Sequence, residues 1–132
     1  MSVPRTDNES VRGEIRDAVR DMLFISETEA GLELLPADPE PKTQEAACRS
    51  LGEYIVASDG DSFLNGIRDS VDPGDVGLAT YLRQWEDLFA LLTRCSNDVR
   101  VYRSTNAPDI TIDIVAIVND EAVIIRTQAV ET

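Results

Sequence analysis

Histidine is absent from this 132-residue chain. That removes Ser-His-Asp and Cys-His nucleophile arrangements and any imidazole ligand for zinc. Lysine is nearly absent too: Lys42 is the one amine side chain that could act as a nucleophile. Cysteine occurs twice, at Cys48 and Cys95, each alone in its segment and without metal-ligand spacing. Both read as small buried hydrophobes, and nothing in the sequence supports a disulfide between them. Long apolar runs are missing. None approaches the ~20 residues of a membrane helix, and the run at 114–118 has five. The N-terminal MSVPRTDNES lacks the apolar segment of a signal peptide. The resulting expectation is a soluble cytoplasmic protein that makes no membrane contact and needs no cofactor. The chemistry leans away from an enzyme, although carboxylate pairs could still serve as acid and base.

What is present in excess is acid. Twenty-five Asp and Glu face twelve basic residues, eleven of them Arg, for a net charge of −13. Such a surface repels nucleic acid and membranes, which excludes direct nucleic-acid binding, and it attracts a basic partner. The acids are spread along the chain. They fit either mimicry of a nucleic-acid backbone or adaptation to salt, and charge alone favours the more general solubility or salt reading. With 42% hydrophobic and 28% charged residues, the composition is that of a globular protein. One continuous composition over this length predicts a single domain, residues 1–132, monomeric when free. It is long enough to bury roughly two-thirds of its unfolded surface.

Residues 8–24 carry Val11, Ile15, Val19, Met22 and Leu23 at helical steps, with Thr6 or Asn8 able to cap the start. The other face aligns Arg12, Arg16 and Arg20, which reads as a solvated stripe with exposed ion pairs. Next comes FISETEAG, where Ser26-x-x-Glu29 has the form of a helix-capping box. Gly31 leaves little room for a following helix, so an exposed turn is favoured. Residues 32–35 read as a short strand, and Pro36, Pro39 and Pro41 enforce a loop. A helix is expected over 43–51 and a strand at 54–56. Asp59-Gly60-Asp61-Ser62 can cap a short helix through Phe63, Leu64 and Ile67. Residues 69–77 read as a loop, with Asp69, Asp72 and Asp75 lacking the spacing of a calcium site.

A helix over 78–95 carries a wide apolar stripe of Leu78, Leu82, Trp85, Leu88, Phe89 and Leu92, which places Trp85 in the core. Helix then gives way to period two. Val99 and Val101 alternate with polar neighbours, and Ile110, Ile112, Ile114, Ala116 and Val118 share one parity. The other parity begins with Thr111 and Asp113 and becomes apolar at Val115 and Ile117, so both sheet faces should be covered there. Asn119-Asp120 signals a hairpin that returns residues 122–130 antiparallel. The fold class is α/β, an antiparallel sheet late in the chain with helices packed on it, and the connections favour an α-β-α arrangement.

These pieces resemble the cyanobacterial nuclease A inhibitor family. Leu23-Phe24-Ile25-Ser26-Glu27-Thr28-Glu29 is similar to the family's Leu-Phe-Met-Ser-Glu-Ser-Glu run. Asp61-Ser62-Phe63, Val101-Tyr102-Arg103 and the terminal Val130-Glu131-Thr132 match as well. The resemblance spans essentially the whole chain. It implies an α-β-α sandwich of pathogenesis-related-1-like topology and inhibition of a basic, nonspecific, magnesium-dependent DNA/RNA endonuclease. It implies that Glu27 and the carboxylate of Thr132 enter the nuclease's metal site, with Ser26, Glu29, Asp72 and Glu131 in the contact. Metal is then met only in trans. One contact loop departs from the pattern: Val71-Asp72-Pro73 stands where the family has Gln-Asp-Trp. Asp72 is kept, but the aromatic that could anchor an interface is lost. The alternative is a regulatory module of the same fold with a different, non-nuclease partner.

Overall fold

The computed structural model describes residues 8–26, 29–35, 55–72, 74–96, 99–104, 109–118 and 121–130. They form an α/β fold with a mainly antiparallel sheet. Its elements are α1 (Asn8–Val19), β1 (Leu23–Ile25), β2 (Glu29–Gly31), β3 (Glu33–Leu34), β4 (Ile55–Asp59), α2 (Gly60–Ser70), α3 (Val76–Cys95), β5 (Val99–Ser104), β6 (Asp109–Val118) and β7 (Glu121–Val130). The expectations for residues 36–51, including the proline loop, the 43–51 helix and Cys48, fall outside the described residues.

The sheet runs β3-β7-β6-β5-β4, every neighbour antiparallel. Its spine is the β6–β7 pair, in register from Asp109↔Val130 to Val118↔Glu121. That register leaves two residues, 119 and 120, to connect the strands. On one face, Val99, Val101, Ile110, Ile112, Ile114, Ala116, Val123 and Ile125 join a single core cluster. The cluster takes Val11, Ile15 and Val19 from α1, Leu64 and Ile67 from α2, and Trp85, Leu88, Phe89 and Leu92 from α3. The parity of β6 anticipated this face. The second face is buried too, at Tyr102, Asp113 and Val115, which explains why the second parity of β6 turns apolar.

Both described helix starts after β4 are capped by aspartate. The Asp59 carboxylate accepts from the Ser62 amide at 2.7 Å, and that bond, with further help from the Ser62 hydroxyl and Arg100, lowers its pKa. Asp75 does the same for α3, accepting from the Leu78 amide at 3.1 Å. Gly60 permits a close approach. A Cβ there would lie 3.0 Å from the Phe89 ring and 3.1 Å from the Val99 carbonyl oxygen. α3 starts two residues earlier than the expected 78, and the loop narrows to residues 71–75. No helix among the described residues is long and apolar enough to cross a membrane.

Two local expectations are corrected. The first helix does not continue to residue 24. It ends at Val19, the Met22 amide closes a turn onto the Val19 carbonyl at 3.1 Å, and a strand follows. Met22 stays buried as the helical period required, but Leu23 turns outward and Phe24 inward, which is period two. Nor is Arg12 part of a solvated stripe. It is largely buried, and its guanidinium donates to the Leu35 carbonyl, tying α1 to the end of β3. Arg16 and Arg20 are exposed, and Arg20 pairs with Asp17 at 2.9 Å.

Candidate protein-contact site

β1 and β2 form a two-stranded ribbon, with Leu23↔Gly31, Phe24↔Ala30 and Ile25↔Glu29 in register. The pairing rules out a helix starting at Ser26, so the capping-box reading of Ser26 and Glu29 gives way to the turn reading. An isolated ribbon of this length is unstable in water. Here it is tied down by four side-chain bonds to distant parts of the chain. The Trp85 indole N–H donates to the Leu23 carbonyl at 3.1 Å. The Ile25 amide donates to the Tyr81 hydroxyl oxygen at 3.2 Å. The Thr127 hydroxyl donates to the Gly31 carbonyl at 3.0 Å. The Val130 amide donates to the Ser26 hydroxyl oxygen at 3.1 Å.

Aromatic packing adds to these clamps. The Phe24 ring lies 5.9 Å from Phe63, stacked, and 6.0 Å from Trp85, edge-on. Phe63 and Trp85 in turn meet Phe89 at 6.0 and 6.3 Å. Each such pair contributes ~0.5–1.5 kcal/mol beyond the area it buries. With Phe24 held inward, its neighbours Leu23 and Ile25 face out, 38% and 40% exposed. Burial raises the pKa of Tyr81, and the Ile25 amide pulls it the other way.

Ser26 carries the bond that joins the ribbon to the last described residue of β7. Glu29 sits in β2, exposed and opposite Ile25. Asp72 is exposed in the α2–α3 connection, where its carboxylate accepts from the Gly74 amide at 2.9 Å and its carbonyl from the Asp75 amide at 3.0 Å. Glu27, Glu131 and Thr132 lie outside the described residues. Ser26 is thus brought to the end of β7, whereas the bonds of Asp72 are local. α3, which starts just after that loop, reaches the ribbon through Tyr81. No group of three or more His, Cys, Asp and Glu among the described residues is placed to hold a metal.

Two of the residues that hold the ribbon were not singled out from the sequence. Tyr81 and Thr127 carry no motif, and their roles come from contacts 56 and 96 positions away. Trp85 was rightly placed in the core, yet its indole N–H also reaches the Leu23 carbonyl at the base of the ribbon.

Fold and site together define a small acidic α/β protein that presents a clamped surface hairpin. A family model described as nuclease A inhibitor-like protein matches residues 9–132. The chain belongs to the nuclease A inhibitor-like family. Comparison with curated proteins gave no match.

Proposed function

We propose that this protein is a non-catalytic inhibitor of a basic, nonspecific, magnesium-dependent DNA/RNA endonuclease. Glu27 and the terminal carboxylate of Thr132 are inserted together at the nuclease's metal. The observation that carries this reading is the Ser26–Val130 bond, 3.1 Å long. Glu27 follows Ser26, Glu131 follows Val130, and consecutive Cα atoms are about 3.8 Å apart. One hydrogen bond therefore joins the two residues from which the acidic segments continue. Magnesium takes oxygen ligands and holds substrate phosphate in its shell, so two carboxylates can take the place of phosphate oxygens there. The net charge of −13 speeds encounter with a basic nuclease, and the clamps hold the tip before binding. Glu29 supports the turn, and Asp72 meets the same partner from the neighbouring loop. The family's α-β-α sandwich, as one cytoplasmic domain that is monomeric when free, is the architecture we assign, supported by burial on both sheet faces.

A second reading rests on one feature. Val71 and Pro73 replace the family's glutamine and tryptophan, and the Asp72 carboxylate already accepts a local bond. A module that kept the fold and changed partners would look like this. Titration into ββα-metal nuclease assays separates the two. Inhibition should weaken at least about tenfold in Glu27→Gln, and similarly when one residue is appended after Thr132. Inhibition constants unchanged in both would sink the mechanism. Capture of a specific non-nuclease protein would favour the second reading.

A further inference from the structure

Three large hydrophobic side chains are exposed among the described residues: Leu23, Ile25 and Val76. Scattered singly, such residues need no explanation. Leu23 and Ile25 are not scattered. They share one face of β1, with Cα atoms about 7 Å apart, and Phe24 between them turns the other way into the aromatic cluster. The register sets Gly31 opposite Leu23 and Glu29 opposite Ile25, and both are exposed as well. The outer face of the ribbon is therefore an apolar row beside a carboxylate, with a gap where Gly31 carries no side chain.

The fold does not require that glycine. Its backbone is outside the left-handed region, and a Cβ there would meet nothing within 4 Å among the described residues. Glycine weakens a strand, and one of its uses there is to let another molecule approach closely. Glu29 supports the turn through its backbone pairing with Ile25, which leaves its side chain on this outer face.

Charge selects the occupant. A net charge of −13, with Glu29 on the face itself, disfavours an acidic peptide, an anionic membrane or a second copy of this chain. It favours a cation. Lysine and arginine bury their methylene stems along apolar surface and keep the charged end at a polar rim. Ile25 is two residues from Glu27, at most about 7 Å of chain, so a partner that meets Glu27 has this face within reach.

We infer that the outer face of the ribbon docks a lysine or arginine of the nuclease, its stem across Leu23, Gly31 and Ile25 and its cationic end on Glu29. This contact rests on the inhibitor reading and adds a second point of attachment beside the tip.

The test is inhibition of a basic ββα-metal nuclease by the full chain and its variants, with urea midpoints in parallel. The double substitution Leu23→Thr with Ile25→Thr puts strand-favouring polar residues on the face. It should weaken inhibition at least about tenfold and leave the midpoint unchanged. Gly31→Val closes the gap with a good strand former. It should weaken inhibition about tenfold while the midpoint holds or rises. Glu29→Gln should weaken inhibition about threefold to tenfold at about 50 mM salt, and by less at about 0.5 M, where screening is strong. Suppose Glu27→Gln weakens inhibition while the double substitution and Gly31→Val leave it unchanged. This contact is then overturned and the inhibitor reading stands. Absence of inhibition by the unsubstituted chain would sink both together. A dimer in solution that the double substitution dissociates would assign the face to a second copy and overturn the contact.

Discussion

The β6–β7 pair and the β1–β2 ribbon are both antiparallel two-strand units, yet they are held in different ways. β6 and β7 pair over their full ten-residue lengths and bury one side in the core. Their alternation is written in their own residues. The ribbon pairs over three residues a strand, and its four clamps come from positions 56, 62, 96 and 104 residues away. The sheet is therefore a source of stability, while the ribbon is a shape imposed by its neighbours. Damage to the sheet should unfold the molecule. Damage to a clamp should loosen the tip and leave the fold intact.

The largest effect is expected from Arg126→Met. Arg126 donates to Asp113 at 2.7 and 2.9 Å across the β6–β7 pair, and the Asp113 side chain is fully buried. Removing the guanidinium leaves a buried carboxylate without its charge partner. Loss of one partner of a buried pair costs ~3–5 kcal/mol, and the 27% exposure of Arg126 places this case at the lower end. The urea midpoint should fall by roughly 1–2 M for a protein of this size. Adding Asp113→Val should recover most of the loss, because the uncompensated charge is gone. If Arg126→Met instead left the midpoint unchanged and loosened only the ribbon, the contrast between the two regions would be reversed.

The same contrast explains what could be read in advance. The apolar parity of β6, the antiparallel return of β7 and the stripe on α3 depend on near neighbours, and all were legible. The burial of Asp113 was not, since only the register sets it opposite Arg126. Residues 22–24 were misread as helix because Met22 and Leu23 continue the helical period of α1. What converts them to strand is Phe24 entering the aromatic cluster and Trp85 holding the Leu23 carbonyl, both remote in sequence. Arg12 was misread for a related reason: its acceptor, the Leu35 carbonyl, is 23 residues away. At the site, the family resemblance pointed to Glu27 and Thr132, but nothing in the sequence joined Ser26 to Val130.

A smaller effect, confined to the ribbon, is expected from Tyr81→Phe. The ring and its packing stay, and the acceptor for the Ile25 amide is lost, a change worth ~0.5–1.5 kcal/mol. Hydrogen exchange at Ile25 should speed up by about threefold to tenfold, with little change at core amides of β6. Alkaline pH offers an independent check. Burial raises the Tyr81 pKa above 10.0 in the folded protein, so the unfolded chain loses this proton first. The contribution of Tyr81 is then fully present below pH 10 and is lost as the pH rises through the folded value. Tyr81→Phe should remove that part of the alkaline loss. A stability–pH curve identical in both proteins above pH 10 would mean that the hydroxyl is not coupled to folding.

The smallest stability change should come with a clear functional one at Ser26→Ala. The substitution removes one oxygen, the acceptor for the Val130 amide at the end of β7. Water can replace it at that edge, so the cost should stay under about 1 kcal/mol, with a urea midpoint close to that of the unsubstituted chain. Two acidic segments held together lose less entropy on binding than two that move independently, so inhibition should still weaken by roughly threefold to tenfold. A double-mutant cycle with Glu27→Gln isolates the reason. If Ser26 acts by positioning Glu27 beside the chain end, the two losses will be less than additive, because a misplaced carboxylate has less binding left to lose. Strict additivity would show that the tip and the end of β7 act separately on the partner. The ribbon would then need only its other three clamps.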